Sequence, residues 1–176
     1  MPSAADRRVF WAAAIGVIVV DVLTKLAAER WLFQTRAVEV LGEWFQLRLV
    51  YNQGAAFGLH LGPYSRWIFF AVAVVAVIAL ERWSRHTPTG DRIRQFVLGL
   101  VLGGAAGNLI DRIRSPLGVV DFLDVGIGAY RWPTFNVADM AISCGAIALA
   151  LSLWREDARR QAAAATPTPA GIATED

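Results

Sequence analysis

The chain has 176 residues, of which 56% are hydrophobic and only 18% charged, and it contains seven tryptophans. This composition excludes an ordinary soluble domain, in which about a quarter of the residues are charged, and indicates one membrane-embedded domain. The net charge is only +2 and the arginines lie between apolar blocks rather than along one stripe, so we expect no nucleic-acid partner.

Four apolar blocks predict four transmembrane helices, at residues 9–28, 66–82, 95–113 and 136–154. Their uncharged cores are short for roughly 30 Å of hydrocarbon, so each helix needs tilt, snorkelling arginines or a thinned bilayer. The first block carries Asp21 and Lys25 and lacks a small-residue cleavage site, which favours a retained anchor over a cleaved signal peptide. The predicted fold class is an all-α polytopic membrane protein whose residues 9–155 form a single domain.

Arginines that flank the blocks set the predicted orientation of the chain. They precede the first block, separate the second from the third, and follow the fourth: Arg7, Arg8, Arg82, Arg85, Arg92, Arg94, Arg155, Arg159 and Arg160. Because cytoplasmic flanks are enriched in arginine and lysine, we expect residues 1–8 and 156–176 in the cytoplasm. The Ala/Pro/Thr-rich composition predicts that residues 156–176 are disordered.

Polar residues within the first block lie on one helical face. Asp21, Thr24 and Lys25 follow the spacing i, i+3 and i+4. One interpretation is a local ion pair that eases both charges into the membrane interface. The other is a supporting role beside a functional site.

The connection between the first two helices is predicted to form a small extramembrane β region over residues 36–60. Residues 45–51 alternate in polarity with a period of two, which indicates a half-buried strand. The strand leads into NQGAAFG, in which Asn52 offers a donor and an acceptor and Gly54 permits unusual backbone conformations. This sheet would either hold an extended peptide over a site by strand addition or simply pack on the helix ends. A short helix or loop completes the predicted outer layer.

The third block carries two patterns that favour close packing around a polar site. Asn108 lies three and four residues before Asp111 and Arg112, so these side chains share one helical face. The alternative for Asp111 and Arg112 is a structural ion pair at a helix end. Glycines at intervals of four predict that another helix approaches closely, at Gly99, Gly103 and Gly107.

Acidic residues from several segments are predicted to meet near the outer membrane boundary. At 1.5 Å per residue, Asp21, Asp111 and Asp139 reach similar depths on their helices. Pro116 and Gly118 break the third helix, so the following segment VVDFLD is predicted to carry Asp121 and Asp124 on a turn or short helix. Because charges inside a membrane are costly, we interpret these acids as one shared site.

Two carboxylates that are brought together and dried cannot both stay ionised, and aspartic peptidases use such a pair. Spacing leaves open which of Asp111, Asp121 and Asp124 would pair with Asp139. Asp139 also follows Asn136 by three residues, as a capping-box acid would at the start of the fourth helix. Capping and catalysis are compatible, because a helix N-terminus favours an anion.

Other catalytic chemistries have little support in the sequence. Cys144 and Ser143 lie inside the fourth block with no neighbouring base. The histidines, His60 and His86, lie outside the polar motifs, and no His/Cys/Glu cluster has metal-ligand spacing. We therefore expect neither a metal nor an organic cofactor.

Five motifs, in one order, resemble those of the bacterial lipoprotein signal peptidases, the signal peptidase II family. They are DVLTK at 21–25, NQGAAFG at 52–58, GGAAGNLIDR at 103–112, VVDF at 119–122 and FNVAD at 135–139. The resemblance covers about residues 9–154. One such motif is a weak signal, whereas five in order on a four-helix frame are specific.

The resemblance implies that Asp121 and Asp139 form a catalytic aspartic dyad. It implies a prolipoprotein substrate whose cysteine carries a diacylglyceryl group, cut on the amino side of that cysteine to release the signal peptide. Further residues are implied to line the cleft or organise the dyad: Asn52, Gly54, Asn108, Asp111, Arg112, Asn136, Asp21 and Lys25. The resemblance also implies a bacterial inner-membrane enzyme with a periplasmic active site, and we expect a monomer in contact with membrane lipid.

Two other functions are compatible with the residues alone. A proton-coupled transporter would also place Asp, Asn and Arg inside a bundle, but its polar groups would lie at the midplane and its halves would be related. An assembly subunit without chemistry would give each polar residue a packing role. The clustering of the acids at one membrane face favours the peptidase.

Overall fold

The computed structural model describes residues 1–54 and 62–165, the side chain of the last residue excepted. Its elements, in chain order, are α1 (Ala4–Trp31), β1 (Val38–Leu41), β2 (Phe45–Asn52), α2 (Ser65–His86), α3 (Arg92–Arg114), β3 (Val119–Ile127), β4 (Tyr130–Arg131) and α4 (Val137–Ala165). A 3-10 turn, Gly62–Tyr64, leads into α2. All four α-helices are long and apolar enough to cross a membrane, which confirms the predicted fold class.

The helix α3 is the centre of the bundle, because it packs against α1, α2 and α4. In the most apolar stretch of α3, 56% of the residues are buried by the rest of the protein, against 6% in the corresponding stretch of α2. Most of the α2 surface is therefore available for contact with lipid. Phe10 and Ala14 of α1 pack with Leu98 and Leu102 of α3 in the core between these two helices.

The glycines of α3 lie where neighbouring backbones touch it. A methyl group built at Gly103 would lie 2.6 Å from the Ala14 carbonyl oxygen of α1. One at Gly99 would overlap the Phe10 carbonyl, and one at Gly104 would overlap the Ala138 carbonyl of α4. The predicted close approach along the four-residue glycine spacing is therefore confirmed.

The extramembrane sheet has four antiparallel strands in the order β1-β2-β3-β4. The strand predicted over residues 45–51 is confirmed as β2. Its partner was missed, because residues 119–124 form β3 and not the predicted turn or short helix. Val120 and Phe122 are buried with Leu49 of β2 and Ala28 of α1. Pairing with β2 and this burial therefore override the local signal of Pro116 and Gly118.

Two predicted boundaries also need correction. The helix α4 continues to Ala165, so residues 156–165, which were predicted to be disordered, are helical. Glu156 forms ion pairs of 2.5 Å with both Arg94 of α3 and Arg160 one turn later, and alanine-rich sequence favours helix. Residues 166–176 lie outside the described part of the chain, as do residues 55–61, which include His60 and the end of the NQGAAFG motif.

We expect Gly103→Ala to lower the free energy of unfolding by about 1–3 kcal/mol, because the new methyl group would push α1 away from α3. Gly16 is the matched control, since nothing lies within 4 Å of a methyl group there. Gly16→Ala should be neutral or stabilise by up to about 1 kcal/mol. Thermal unfolding in detergent, followed by circular dichroism, measures both, and equal melting temperatures would contradict this packing.

Candidate active site

A cavity of about 460 Å³ opens where the sheet meets the C-terminal end of α3 and the N-terminal end of α4. Seven lining residues have polar side chains: Asn52, Asn108, Arg112, Asp121, Thr134, Asp139 and Ser143. The other lining residues, which we call the apolar wall, are Gly54, Val119, Trp132, Pro133, Phe135, Met140 and Cys144. The cavity therefore brings together two acids from different elements, Asp121 of β3 and Asp139 of α4.

Asp121 lies on β3 and its side chain is almost fully buried, with the residue 2% exposed. Asn52 of β2 donates a hydrogen bond to one carboxylate oxygen at 3.0 Å, and Asn136 donates to the other at 2.6 Å. Burial and, secondly, the negative charge of Asp139 together raise the pKa of Asp121 to about 7, against the opposing effect of the two amide donors. The Asp121 carboxyl is therefore partly protonated at neutral pH.

Asp139 lies in the first turn of α4 and has two roles there. Its carboxylate accepts the Asn136 backbone N–H at 3.2 Å, while the Asn136 side chain accepts the Asp139 N–H at 2.9 Å. This reciprocal pair is the predicted capping box. The other carboxylate oxygen accepts a hydrogen bond from the Asn108 side chain at 2.8 Å. The cap and the network thus hold the acid at the cavity wall.

Two asparagines connect the acids to each other. The Asn136 side-chain amide contacts the Asn108 side-chain oxygen at 3.2 Å, in addition to its bond to Asp121. Asn108 in turn donates to Asp139. The connection between the acids is therefore a set of amide hydrogen bonds, in which every donor and acceptor has a fixed direction.

A buried lysine lies behind this network, outside the cavity. The Lys25 ammonium lies 2.8 Å from Asp21 and 2.9 Å from Asp111, and it donates to the Asn108 oxygen at 2.9 Å. The local Asp21–Lys25 pair is confirmed. The structural ion pair considered between Asp111 and Arg112 is wrong, because Asp111 pairs with Lys25 and, at 2.8 Å, with Arg114.

Arg112 faces the cavity instead. Its guanidinium donates to the carbonyl oxygens of Gly54 at 3.0 Å and Asn108 at 3.2 Å, and lies 5.9 Å from the centre of the Phe69 ring. Arg66 at the start of α2 donates twice to the Arg112 carbonyl, at 2.9 and 2.6 Å. Sequence analysis missed Arg66 and Phe69, since their contacts cross between helices. It also missed the wall residues 132–134, although they directly precede the FNVAD motif.

Among residues 1–54 and 62–165, no group of three or more His, Cys, Asp or Glu side chains could hold a metal ion. The functional groups that line the cavity are two carboxylates, two side-chain amides, one guanidinium, the hydroxyls of Thr134 and Ser143 and the thiol of Cys144.

Comparisons with known proteins agree with this architecture. The family model described as signal peptidase II matches residues 13–155. The chain belongs to the signal peptidase II family. It is therefore a bacterial inner-membrane, multi-pass protease of lipoprotein processing.

Relatives share most of their length with this chain. The lipoprotein signal peptidase of Syntrophotalea carbinolica is 43% identical over 90% of this chain and 98% of its own length. That of Francisella tularensis subsp. novicida is 38% identical over 80% of this chain and 88% of its own.

Two solved structures of bacterial membrane enzymes, both obtained by the in meso method, share the fold. One has a TM-score of 0.76 at 28% identity and covers 84% of this chain and 88% of its own. The other has a TM-score of 0.71 at 30% identity, with 81% and 90% covered.

Cys144 provides a direct probe of the cavity, because it is the single cysteine of the chain and lines the apolar wall. We expect a membrane-impermeant maleimide, added on the predicted outer side, to modify Cys144 through water in the cavity. The lipid-facing position 147, 62% exposed and outside the cavity wall, is the control. In the double variant Cys144→Ser, Ile147→Cys, the rate should be at least about tenfold lower, since maleimide needs a hydrated thiolate. Equal rates would contradict an aqueous cavity, and modification only from the other side would contradict the orientation.

Proposed function

We propose that this chain is an intramembrane aspartic endopeptidase that removes the signal peptide from diacylglyceryl-modified prolipoproteins, cutting on the amino side of the lipidated cysteine. One observation carries the proposal: Asp121 and Asp139 line the same cavity, and each accepts hydrogen bonds from asparagine side chains. The negative charge of Asp139 also disfavours ionisation of Asp121. Such a pair shares one proton at neutral pH, as aspartic peptidases require.

The proposed reaction divides the roles according to the surroundings of each acid. Asp139 lies at the N-terminus of α4, where the helix dipole favours an anion, so it takes the proton from the attacking water. Asp121, buried and partly protonated, donates a hydrogen bond to the scissile carbonyl oxygen. The hydroxide oxygen bonds to the carbonyl carbon, and the acids then return a proton to the leaving nitrogen as the C–N bond breaks.

The remaining polar residues of the cavity would hold the substrate backbone. Asn52, Gly54 and Arg112 form the wall next to Asp121, and the Arg112 guanidinium retains donors for a peptide carbonyl. Met140 and Cys144 extend the wall along α4 on the apolar side. The acyl chains of the substrate would stay among lipid while the adjacent peptide bond reaches the acids, so recognition would depend partly on depth.

The proposed orientation follows from the arginine flanks. Both termini lie in the cytoplasm and the active site faces the periplasm, because the arginine-rich ends of the four helices lie opposite the cavity. We also propose that the protein acts as a monomer and needs no cofactor. Residues 9–155 would form its single membrane domain.

Purified protein in micelles, incubated with a diacylglyceryl-modified precursor peptide, tests the dyad. We expect Asp121→Asn and Asp139→Asn each to lower kcat by at least about a thousandfold, since each removes one half of the acid–base pair. Normal turnover in either variant would contradict the assignment.

Asp124 is the matched control for this assay. It lies on the same strand as Asp121, is also buried, and pairs with Arg131 at 2.9 Å outside the cavity. Asp124→Asn should therefore cleave at the normal rate. Its melting temperature also measures how much an Asp to Asn change alone affects folding.

The pH dependence tests the proposed role of Asp121. Because Asp121 must carry a proton and its pKa is about 7, kcat/KM should fall as the pH rises through about 7. The Asn52 donor favours the ionised form and lowers this pKa, so Asn52→Leu should move the fall to higher pH as well as slow the reaction. Gln53→Leu, at an exposed neighbouring position, should leave the profile in place. A profile that moves to lower pH in Asn52→Leu would contradict the role.

A further inference from the structure

A second cavity, of about 270 Å³, lies on the sheet next to the active-site cavity. We call it the sheet groove, and it is lined by residues 50–54, Asp121, Pro133 and Thr134. Asn52, Gly54, Asp121, Pro133 and Thr134 also line the active-site cavity, so both cavities open on the same acid. The proposed reaction leaves the sheet groove without a role.

The two cavities differ in how they lie relative to the membrane. The active-site cavity extends along α4 as far as Cys144, about 10 Å beyond the helix start at Val137. Among the described residues that line the sheet groove, none belongs to a helix. With the proposed orientation, the sheet groove therefore lies on the aqueous side of Asp121 and the active-site cavity on the membrane side.

The substrate of the proposed function crosses this boundary in a fixed direction. Its signal peptide contains an apolar segment, which stays in the membrane, while the chain after the lipidated cysteine is exported. A scissile bond held at Asp121 therefore has its signal-peptide side toward α4. Its mature side points toward the sheet groove.

Two side chains flank Asp121 in the sheet groove from opposite edges of β3. Val50 of β2 is the register partner of Asp121, so both side chains lie on the same face of the sheet. Thr134 comes from the other edge of β3, where Phe135 bridges Leu123. Within the part of the chain that the structure describes, the Thr134 hydroxyl has no hydrogen-bond partner. It is therefore available to a peptide backbone as a donor or an acceptor.

The wall that carries Thr134 is already fixed in the free protein. The Trp132 N–H donates to the Val125 carbonyl at 2.8 Å, and the Phe135 N–H donates to the Leu123 carbonyl at 3.1 Å. Both ends of the segment 132–135 are thus bonded to β3. A wall fixed in this way loses little conformational entropy when it binds a ligand.

The size of the sheet groove limits what it can bind. Pockets for drug-sized ligands usually measure about 300–1,000 Å³, so a volume of about 270 Å³ suits only a short segment. Val50 narrows the groove next to Asp121. Small side chains on the bound segment therefore fit best.

We propose that the sheet groove binds the first residues of the mature lipoprotein, directly after the lipidated cysteine, as a short extended segment with small side chains. Val50 limits the size of these side chains, and the Thr134 hydroxyl bonds to the backbone of the segment. The proposal rests on the function proposed above.

Two precursor peptides test the proposal. Both carry the same signal peptide and a diacylglyceryl cysteine, but the short peptide ends at that cysteine as an amide. The long peptide continues with a few small residues. The measured quantity is kcat/KM for the long peptide divided by kcat/KM for the short one. The folded fraction of each preparation cancels in this ratio.

We expect a ratio of about ten in the unaltered protein, because contacts away from the scissile bond raise kcat/KM. Val50→Trp fills the groove with a residue that strands tolerate, so its ratio should fall to about one. Thr134→Val removes the hydroxyl without adding volume and should lower the ratio about fivefold, whereas Thr134→Ser should keep it. Arg48→Trp is the matched control, since Arg48 is exposed on the same strand and lies outside both cavities.

A third peptide tests the size limit. It has tryptophan directly after the lipidated cysteine, and its ratio to the short peptide should be at least about fivefold lower than that of the long peptide. Val50→Ala widens the groove and should recover most of this loss. Failure of Val50→Ala to recover any of it would contradict the role of Val50.

A ratio of one in the unaltered protein would overturn the proposal, and so would an unchanged ratio in Thr134→Val. A groove that only admits water would give another result, in which Val50→Trp slows both peptides equally and keeps their ratio. That result would also overturn the proposal. Failure of the proposed function is distinct, because it would appear as cleavage by Asp121→Asn or Asp139→Asn of the same peptides.

Discussion

The contact of α3 with the backbones of its neighbours is the constraint on which the rest of the structure depends. Lipid offers no hydrophobic gain for helix association, so packing distance and polar bonds must hold the bundle. The glycines of α3 bring the α1 and α4 carbonyls against its own backbone. At that distance the Asp21–Lys25 pair of α1 meets Asp111 and Asn108 of α3, and a longer approach would separate Lys25 from both.

The same packing explains how buried carboxylates are tolerated in a membrane protein. Each buried carboxylate has at least one partner that is itself fixed: Asp111 has Lys25 and Arg114, and Asp121 has two asparagines. Satisfied networks of this kind hold side chains in one arrangement, whereas a partly satisfied network costs stability. The raised pKa of Asp121 follows from this enclosure, because burial and the neighbouring acid outweigh the amide donors.

Local patterns in the sequence predicted those parts of the fold that local physics determines. Hydropathy located all four helices, and the glycine spacing identified the packing face of α3. The strand β3 was missed because its conformation depends on pairing with β2 about seventy residues earlier, as in the Val50 to Asp121 register. The helical end of α4 was missed because composition suggested disorder, while Arg94 of α3 stabilises it through Glu156.

Among the site residues, too, local patterns predicted some positions, while others depend on contacts that are distant along the chain. Asp139 and Asn136 were recognisable as a capping pair from spacing alone, and that pair is present. Spacing left Asp111, Asp121 and Asp124 open as the acid paired with Asp139, because only the fold directs Asp111 at Lys25, Asp124 at Arg131 and Asp121 into the cavity. The resemblance to a family made that choice. Arg66, which holds the Arg112 carbonyl from another helix, had no local signal at all.

The capping box at the start of α4 has a consequence for how this chain can change. Since the Asn136 cap determines where the helix begins, it also determines the direction in which residue 139 projects. Inserting or deleting one residue between the two would rotate the acid by about 100° around the helix axis, away from its partner. The segment between the cap and the acid therefore cannot change in length without turning the Asp139 carboxylate away from the cavity.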